Sequence, residues 1–213
     1  ARSNDRVVIQ FTAWDNSHVN PEAEIVDVIG PADNPSLDTL TIIRHFDLPR
    51  EFPAPVLREA EQAAALAGRT GRRMDVRNLY IFTIDPERAR DFDDAISLER
   101  DAKGRRVLGV HIADVAHFIR EGSDRDREAH KRGTSVYFPD GVLPMLPEQL
   151  SNGICSLRPD EDRLAFSVFL TFDAAGAIVA RAFAKTLIRS RLRLTYEQAL
   201  AVIEGRTPAG FPA

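Results

Sequence analysis

The chain has 213 residues, 44% hydrophobic and 28% charged, with a net charge of −4, which is room for one large domain or one and a half average ones of ordinary globular composition. Its one cysteine, Cys155, excludes an internal disulfide framework and fits a reducing, cytoplasmic location. No run approaches the ~20 apolar residues of a membrane span, so no membrane partner is expected. The negative charge argues against a nucleic-acid binder on bulk electrostatics, although a site full of carboxylates would itself supply such charge. The opening Ala1-Arg2-Ser3-Asn4-Asp5 has no initiator Met or signal pattern and runs straight into a strand, as expected of a piece of something longer.

Residues 7–11 and 23–30 read as two strands joined by a polar connection at 15–21. Two strands cannot form a stable sheet alone, so 1–31 reads as the end of a small β domain. Pro31, Asp33, Asn34 and Pro35 mark a linker, and 37–46 carries Leu40, Ile43 and Phe46 at helical spacing. Pro55 suits the first position of a helix running to about residue 67 and stopping at Gly68, which makes 32–75 a linker with helices. The basic loop Arg69-Thr70-Gly71-Arg72-Arg73 is either solvated or in contact with phosphate.

An apolar run at 79–84 leads into Thr83-Ile84-Asp85-Pro86-Glu87-Arg88-Ala89-Arg90-Asp91-Phe92-Asp93-Asp94-Ala95. Its four aspartates, Asp85, Asp91, Asp93 and Asp94, repel one another when folded together unless a positive charge sits between them. A solvated turn would also explain acids beside a proline. Phe92, which wants burial among the acids, and the strand-like 95–98 that follows without a break favour a hard divalent cation on several carboxylates. The spacing offers neither the turn glycine nor the closing glutamate of a calcium loop. Nor does it offer the strand-end Asp pair of a phosphatase nucleophile. An Mg2+ site on aspartates suits phosphate chemistry, because the ion bridges phosphate oxygens and activates water.

Beyond the acids, 94–99 and 106–113 read as strands joined by the turn Asp101-Ala102-Lys103-Gly104. His111, Asp114 and His117 invite a zinc reading but lack a fourth ligand, which leaves a core or active-site wall as the alternative. Ser123-Asp124-Arg125-Asp126 opens a helix that Gly133 closes. Tyr137 and Phe138 are a stacking platform or core, with Phe138 the better core member, and a Gly-Pro loop at 141–147 follows. In the loop 151–159, Arg158 either reaches a phosphate or lies at the surface, and Cys155 lacks a basic neighbour to activate it. Residues 163–172 and 177–188 form a second hairpin about 173–176. Arg189, Arg191 and Arg193 share one face, tracking a polymer backbone or lining a solvated edge. Thr195-Tyr196-Glu197-Gln198 is a capping box for a helix ending at Gly205, and the chain then runs out through Pro208, Gly210 and Pro212.

Ile84-Asp85-Pro86 through Arg90-Asp91-Phe92-Asp93-Asp94-Ala95 resembles the catalytic signature of the ribonuclease II / ribonuclease R family, the RNB domain. Three further stretches match in the family's order: Val110-His111-Ile112-Ala113-Asp114-Val115, Tyr137-Phe138-Pro139 with Pro144-Met145-Leu146-Pro147, and Leu150-Ser151-Asn152-Gly153-Ile154-Cys155-Ser156-Leu157. The resemblance covers about 46–204, and residues 7–30 are similar to the end of the cold-shock barrel that precedes this domain. It implies an α+β fold in which a mixed or antiparallel sheet with flanking helices occupies 76–213, as the N-terminal part of the catalytic domain. The tail of an OB-type β-barrel would precede it. The implied activity is a processive 3′→5′ exoribonuclease that uses Mg2+, or Mn2+ in its place, on single-stranded RNA and releases nucleoside 5′-monophosphates.

Carried over by position, Asp85, Asp91 and Asp94 would hold metal, and Asp93 would be the aspartate most critical to chemistry, positioning metal or water. Tyr137 would grip the terminal nucleotide. Arg158, from its place in the loop, and His111 are further candidates for RNA contact. The family's catalytic domain continues further, with another essential arginine and a second stacking aromatic. A fragment, or one chain of a split enzyme whose partner is the missing C-terminal half, is therefore expected. A non-catalytic RNA-binding or regulatory module derived from the same domain is the alternative reading. An unrelated Mg2+ phosphohydrolase is the third.

Overall fold

A computed structural model of the chain describes residues 1–14, 16, 18, 20–65 and 71–208. The expected stop of the second helix at Gly68 and the last prolines and glycine after Pro208 lie outside the described residues. Contacts divide the chain into two compact units, one of 1–52 with 131–145 and one of 53–130 with 146–213.

In the first unit β1 (Asp5–Ala13) and β2 (Glu22–Pro31) form an antiparallel pair with three register shifts. Phe11, Trp14, Ile25 and Val28 remain exposed, as a pair of strands with no third layer must leave them. Helix α1 (Asp38–His45) follows a 3-10 turn at Pro35–Leu37 and is tied back to β1 by Arg6, which donates to Asp38 Oδ1 at 2.6 Å and to the Ala32 carbonyl at 2.6 Å. Where a Gly-Pro loop is expected, the structure has a short hairpin, β7 (Val136–Phe138) with β8 (Gly141–Leu143), because Phe138 and Gly141 pair across a two-residue turn. Arg132 holds this unit together by donating to the carbonyls of Pro49, Glu51 and Pro144, with its guanidinium 3.7 Å over the Phe52 ring.

The second unit is built on β3 (Met74–Asp75), β4 (Ile81–Asp85), β5 (Asp94–Arg100), β6 (Arg106–Ala113), β9 (Asp162–Phe172) and β10 (Ile178–Thr195). Pairings run β10–β4–β5–β6–β9 and return to β10, so five strands close a ring with β3 added at its side. The closure depends on the 18 residues of β10, whose first part pairs antiparallel with β9 and whose last part pairs parallel with β4. Asp101 and Asp173 make the two expected hairpin turns by accepting backbone amides two and four residues on. A five-stranded ring is narrow. Small residues accordingly fill its buried face: Ala95, Ser97, Gly109, Ala113, Ala165, Ser167 and Thr186, with Ile81 and Ile188 as larger members.

Helices α2 (Ala54–Ala65), α3 (Val115–Phe118), α4 (Asp124–Arg132) and α5 (Tyr196–Ile203) complete the set. α2 buries Val56, Ala60 and Ala63 at helical spacing and packs on a wide helical turn at Gln149–Ile154, kinked at Gly153, where the sequence suggested a plain loop. Thr195 caps α5 through the expected box, with Thr195 N–H to Gln198 Oε1 at 2.8 Å. No helix among the described residues is long and apolar enough to cross a membrane.

Candidate active site

The four aspartates meet where two strands part. The β4–β5 ladder consists of Ile81 with Ser97 and Phe82 with Ile96. Beyond it, β4 stays paired with β10 as far as Asp85, and β5 with β6 from Asp94. Asp85 and Asp94 therefore stand on either side of a gap, and residues 86–93 cross it. Pro86 starts that crossing, and having no N–H it cannot extend the ladder.

Asp85 and Asp93 both have carboxyl groups raised above the usual carboxylate range. For Asp85 burial is the main cause, with the charges of Asp94 and Asp91 adding to it, while the Thr83 hydroxyl and Arg193 oppose it. Its Oδ2 is buried without a hydrogen-bond partner at bonding geometry, and so is the Thr83 Oγ1 two residues back on the same face. Asp93 is exposed at its edge, yet protein crowded around the carboxyl raises it first, and the charges of Asp91, Asp94 and Asp85 follow. Asp85 and Asp93 are thus each within electrostatic reach of the other three acids. A buried carboxylate oxygen with no partner, ringed by like charges, is costly unless a cation satisfies it.

The donors are all oxygen, which fits a hard divalent ion. Among the described residues no three His, Cys, Asp or Glu side chains are already arranged to hold a metal, so the carboxylates are near one another without being drawn onto one point. The zinc reading has no geometry either. His117 is exposed, and Asp114 is locked to Arg73 at 2.6 Å, with Lys185 at 3.4 Å. Burial pulls Asp114 upward, but those two cations more than offset it and leave it below its ordinary value.

The remaining residues expected at the site fall in different settings. His111 is fully buried, with Nε2 3.1 Å from Ser97 Oγ and Nδ1 2.7 Å from Ser167 Oγ. Both ring nitrogens are occupied, so the structure seats it in the core of the ring instead of at an RNA-facing surface. Ser167 passes the chain on to Thr186 at 2.6 Å. Arg158 is exposed and donates from Nη2 to the Asn152 carbonyl. Tyr137 lies on β7 in the first unit, 67% exposed. Burial pushes the Cys155 thiol up to about 12, which removes it as a nucleophile.

Of the basic loop, Arg73 is neither solvated nor free for phosphate, because it is the buried partner of Asp114. The arginine row on β10 is spoken for in the same way: Arg189 pairs with Asp162 at 2.7 Å, and Arg191 donates to the Arg77 carbonyl. Arg193 donates to the carbonyls of Pro86 and Glu87 at 2.6 and 2.7 Å. Ser156, part of the matching stretch 150–157 but given no role by the sequence, accepts from Phe92 N–H at 3.0 Å and donates to the Arg90 carbonyl at 2.9 Å.

The RNB domain model matches residues 73–210, and a cold shock domain model matches residues 1–53. The chain belongs to the RNB-domain family. The RNB match contains all four aspartates with Ser156 and Arg193, whereas the cold-shock match takes in β1, β2 and α1. Ribonuclease R of Thermotoga maritima is 46% identical over 209 residues, covering 96% of this chain and 29% of that protein. Mycoplasma genitalium RNase R, solved with ribose methylated single-stranded RNA, matches at a TM-score of 0.88 and 29% identity, over 100% of this chain and 33% of that one. The same enzyme solved with double-stranded RNA matches at 0.87, over 100% of this chain and 38% of that one. The RNB chain described here thus spans about a third of the length of these relatives.

Proposed function

We propose that this chain carries the carboxylate site of a divalent-metal-dependent exoribonuclease that degrades single-stranded RNA processively from its 3′ end to nucleoside 5′-monophosphates. The observation behind the proposal is the buried Asp85 Oδ2, without a hydrogen bond at bonding geometry, at the gap between β4 and β5 and within reach of three further carboxylates. Similarity to proteins named ribonuclease R, one of them solved with RNA, supports the substrate class.

Asp85, Asp91 and Asp94 would hold Mg2+, or Mn2+ in its place, which when bound would supply the positive charge that phosphate hydrolysis needs and a more acidic water. Asp93 is the acid left to position the metal or the attacking water. Tyr137 offers an exposed ring for stacking on a terminal base, and Arg158 an exposed guanidinium for a phosphate.

The test is decay of 5′-labelled single-stranded RNA with Mg2+, using this chain and its Asp93→Asn variant side by side. We expect a ladder shrinking from the 3′ end with the unaltered chain alone, while the variant still binds RNA. Equal decay by both would remove Asp93 from the mechanism. Silence from both would mean that the chemistry needs residues outside these 213.

A further inference from the structure

Residues 86–93 carry the acids across the gap with little structure of their own. Inside the crossing, Ala89 N–H donates to the Pro86 carbonyl at 3.0 Å. What fixes the rest comes from elsewhere in the fold. Ser156, fully buried, brackets Asp91 by holding the Arg90 carbonyl and the Phe92 N–H with one hydroxyl, and Leu157 N–H takes the Phe92 carbonyl at 2.8 Å. From β10, Arg193 Nη2 bridges the carbonyls of Pro86 and Glu87, and its guanidinium carbon lies 5.5 Å from the Phe92 ring centre. The Arg193 Nε is buried with no partner, so the side chain forgoes a hydrogen bond to keep this placement. Hydrogen bonds from a cation to a carbonyl are stronger than neutral ones, and the two N–H bonds of a planar guanidinium nitrogen point in fixed directions.

We infer that Arg193 and Ser156 are positioning residues: they hold the backbone of 86–92 in an arrangement from which Asp85, Asp91 and Asp94 can converge on a divalent cation, with Asp93 beside them. The inference rests on the metal reading of those aspartates proposed above. A plain charge-balancing role for Arg193 is the competing account, and the two differ in sign. Removing a positive charge beside four carboxylates strengthens cation binding if charge is all that matters, and weakens it if the loop loses its shape.

The experiment compares the unaltered chain with Arg193→Ala, Arg193→Lys and Ser156→Ala. Amide hydrogen exchange is measured by NMR without metal, and Mn2+ is titrated with detection by electron paramagnetic resonance. We expect exchange at the Ala89 and Phe92 amides to quicken by about tenfold in Arg193→Ala and Ser156→Ala. Amides of the β9–β10 ladder should keep their protection, which shows that the variants remain folded. Mn2+ affinity should fall by about tenfold in both, with part of it restored in Arg193→Lys. Unchanged exchange at both reporter amides overturns the inference. If the unaltered chain binds Mn2+ and Arg193→Ala binds it as well or better, the inference fails while the metal reading stands. If the unaltered chain binds no Mn2+, the metal reading fails and takes the inference with it.

Discussion

His111 is the largest polar side chain on the buried face of the ring, held between Ser97 and Ser167, and burial lowers its pKa from 6.5 to about 4. The folded chain therefore refuses a proton that the unfolded chain accepts below 6.5. The corresponding stability is fully present above about pH 6.5, is lost as the pH falls toward 4, and amounts to about 3 kcal/mol. Urea unfolding between pH 7 and 4.5 should show this loss in the unaltered chain and a shallower one in His111→Gln. Equal pH slopes would show that His111 is not the group responsible. The sequence offered a core position for His111 as one reading but could not decide it. Gly109, His111 and Ala113 alternate with Leu108, Val110 and Ile112, so both faces of β6 carry apolar residues. Only the closure of the ring decides which face is dry. The acid cluster around Asp85 was legible for the opposite reason, because like charges so close in sequence repel one another wherever they fold.

At the scale of elements, the decisive feature is the close approach of β5 to β6 and the change of partner along β10. Gly109 pairs with Ser97, and a Cβ at Gly109 would sit 2.4 Å from Ser97 Oγ and 2.8 Å from His111 Nε2. Gly109→Ala should displace the Ser97–His111 hydrogen bond and cost about 2 kcal/mol, measured as a lower urea midpoint. An unchanged midpoint would show that the ring absorbs the methyl group. Strand and hairpin positions were legible because their signals are local: alternation, and the turns at Asp101 and Asp173. That β10 leaves β9 for β4 was not, since nothing in the run Ile188-Arg189-Ser190-Arg191-Leu192-Arg193 marks where its partner changes. For the same reason the arginine row was left between an edge tracking a polymer backbone and a solvated edge. Its members instead meet Asp162, the Arg77 carbonyl and the 86–87 carbonyls, all distant in sequence.

For the molecule as a whole, one unit bears the carboxylates and the other an exposed tyrosine, although both lie within the RNB match at 73–210. Family membership was legible because motifs kept their order over most of the chain. The positions of Ser156 and Arg193 as supports of the acidic loop were not, because backbone hydrogen bonds from distant side chains leave no pattern in sequence. The central claim is that Asp85, Asp91 and Asp94 form a divalent-cation site. Its most direct test is anomalous scattering from crystals of this chain grown with Mn2+. We expect manganese bound to those three carboxylates, with Asp85 Oδ2 no longer without a partner. Manganese bound elsewhere, or carboxylates unchanged and empty at saturating Mn2+, would contradict it.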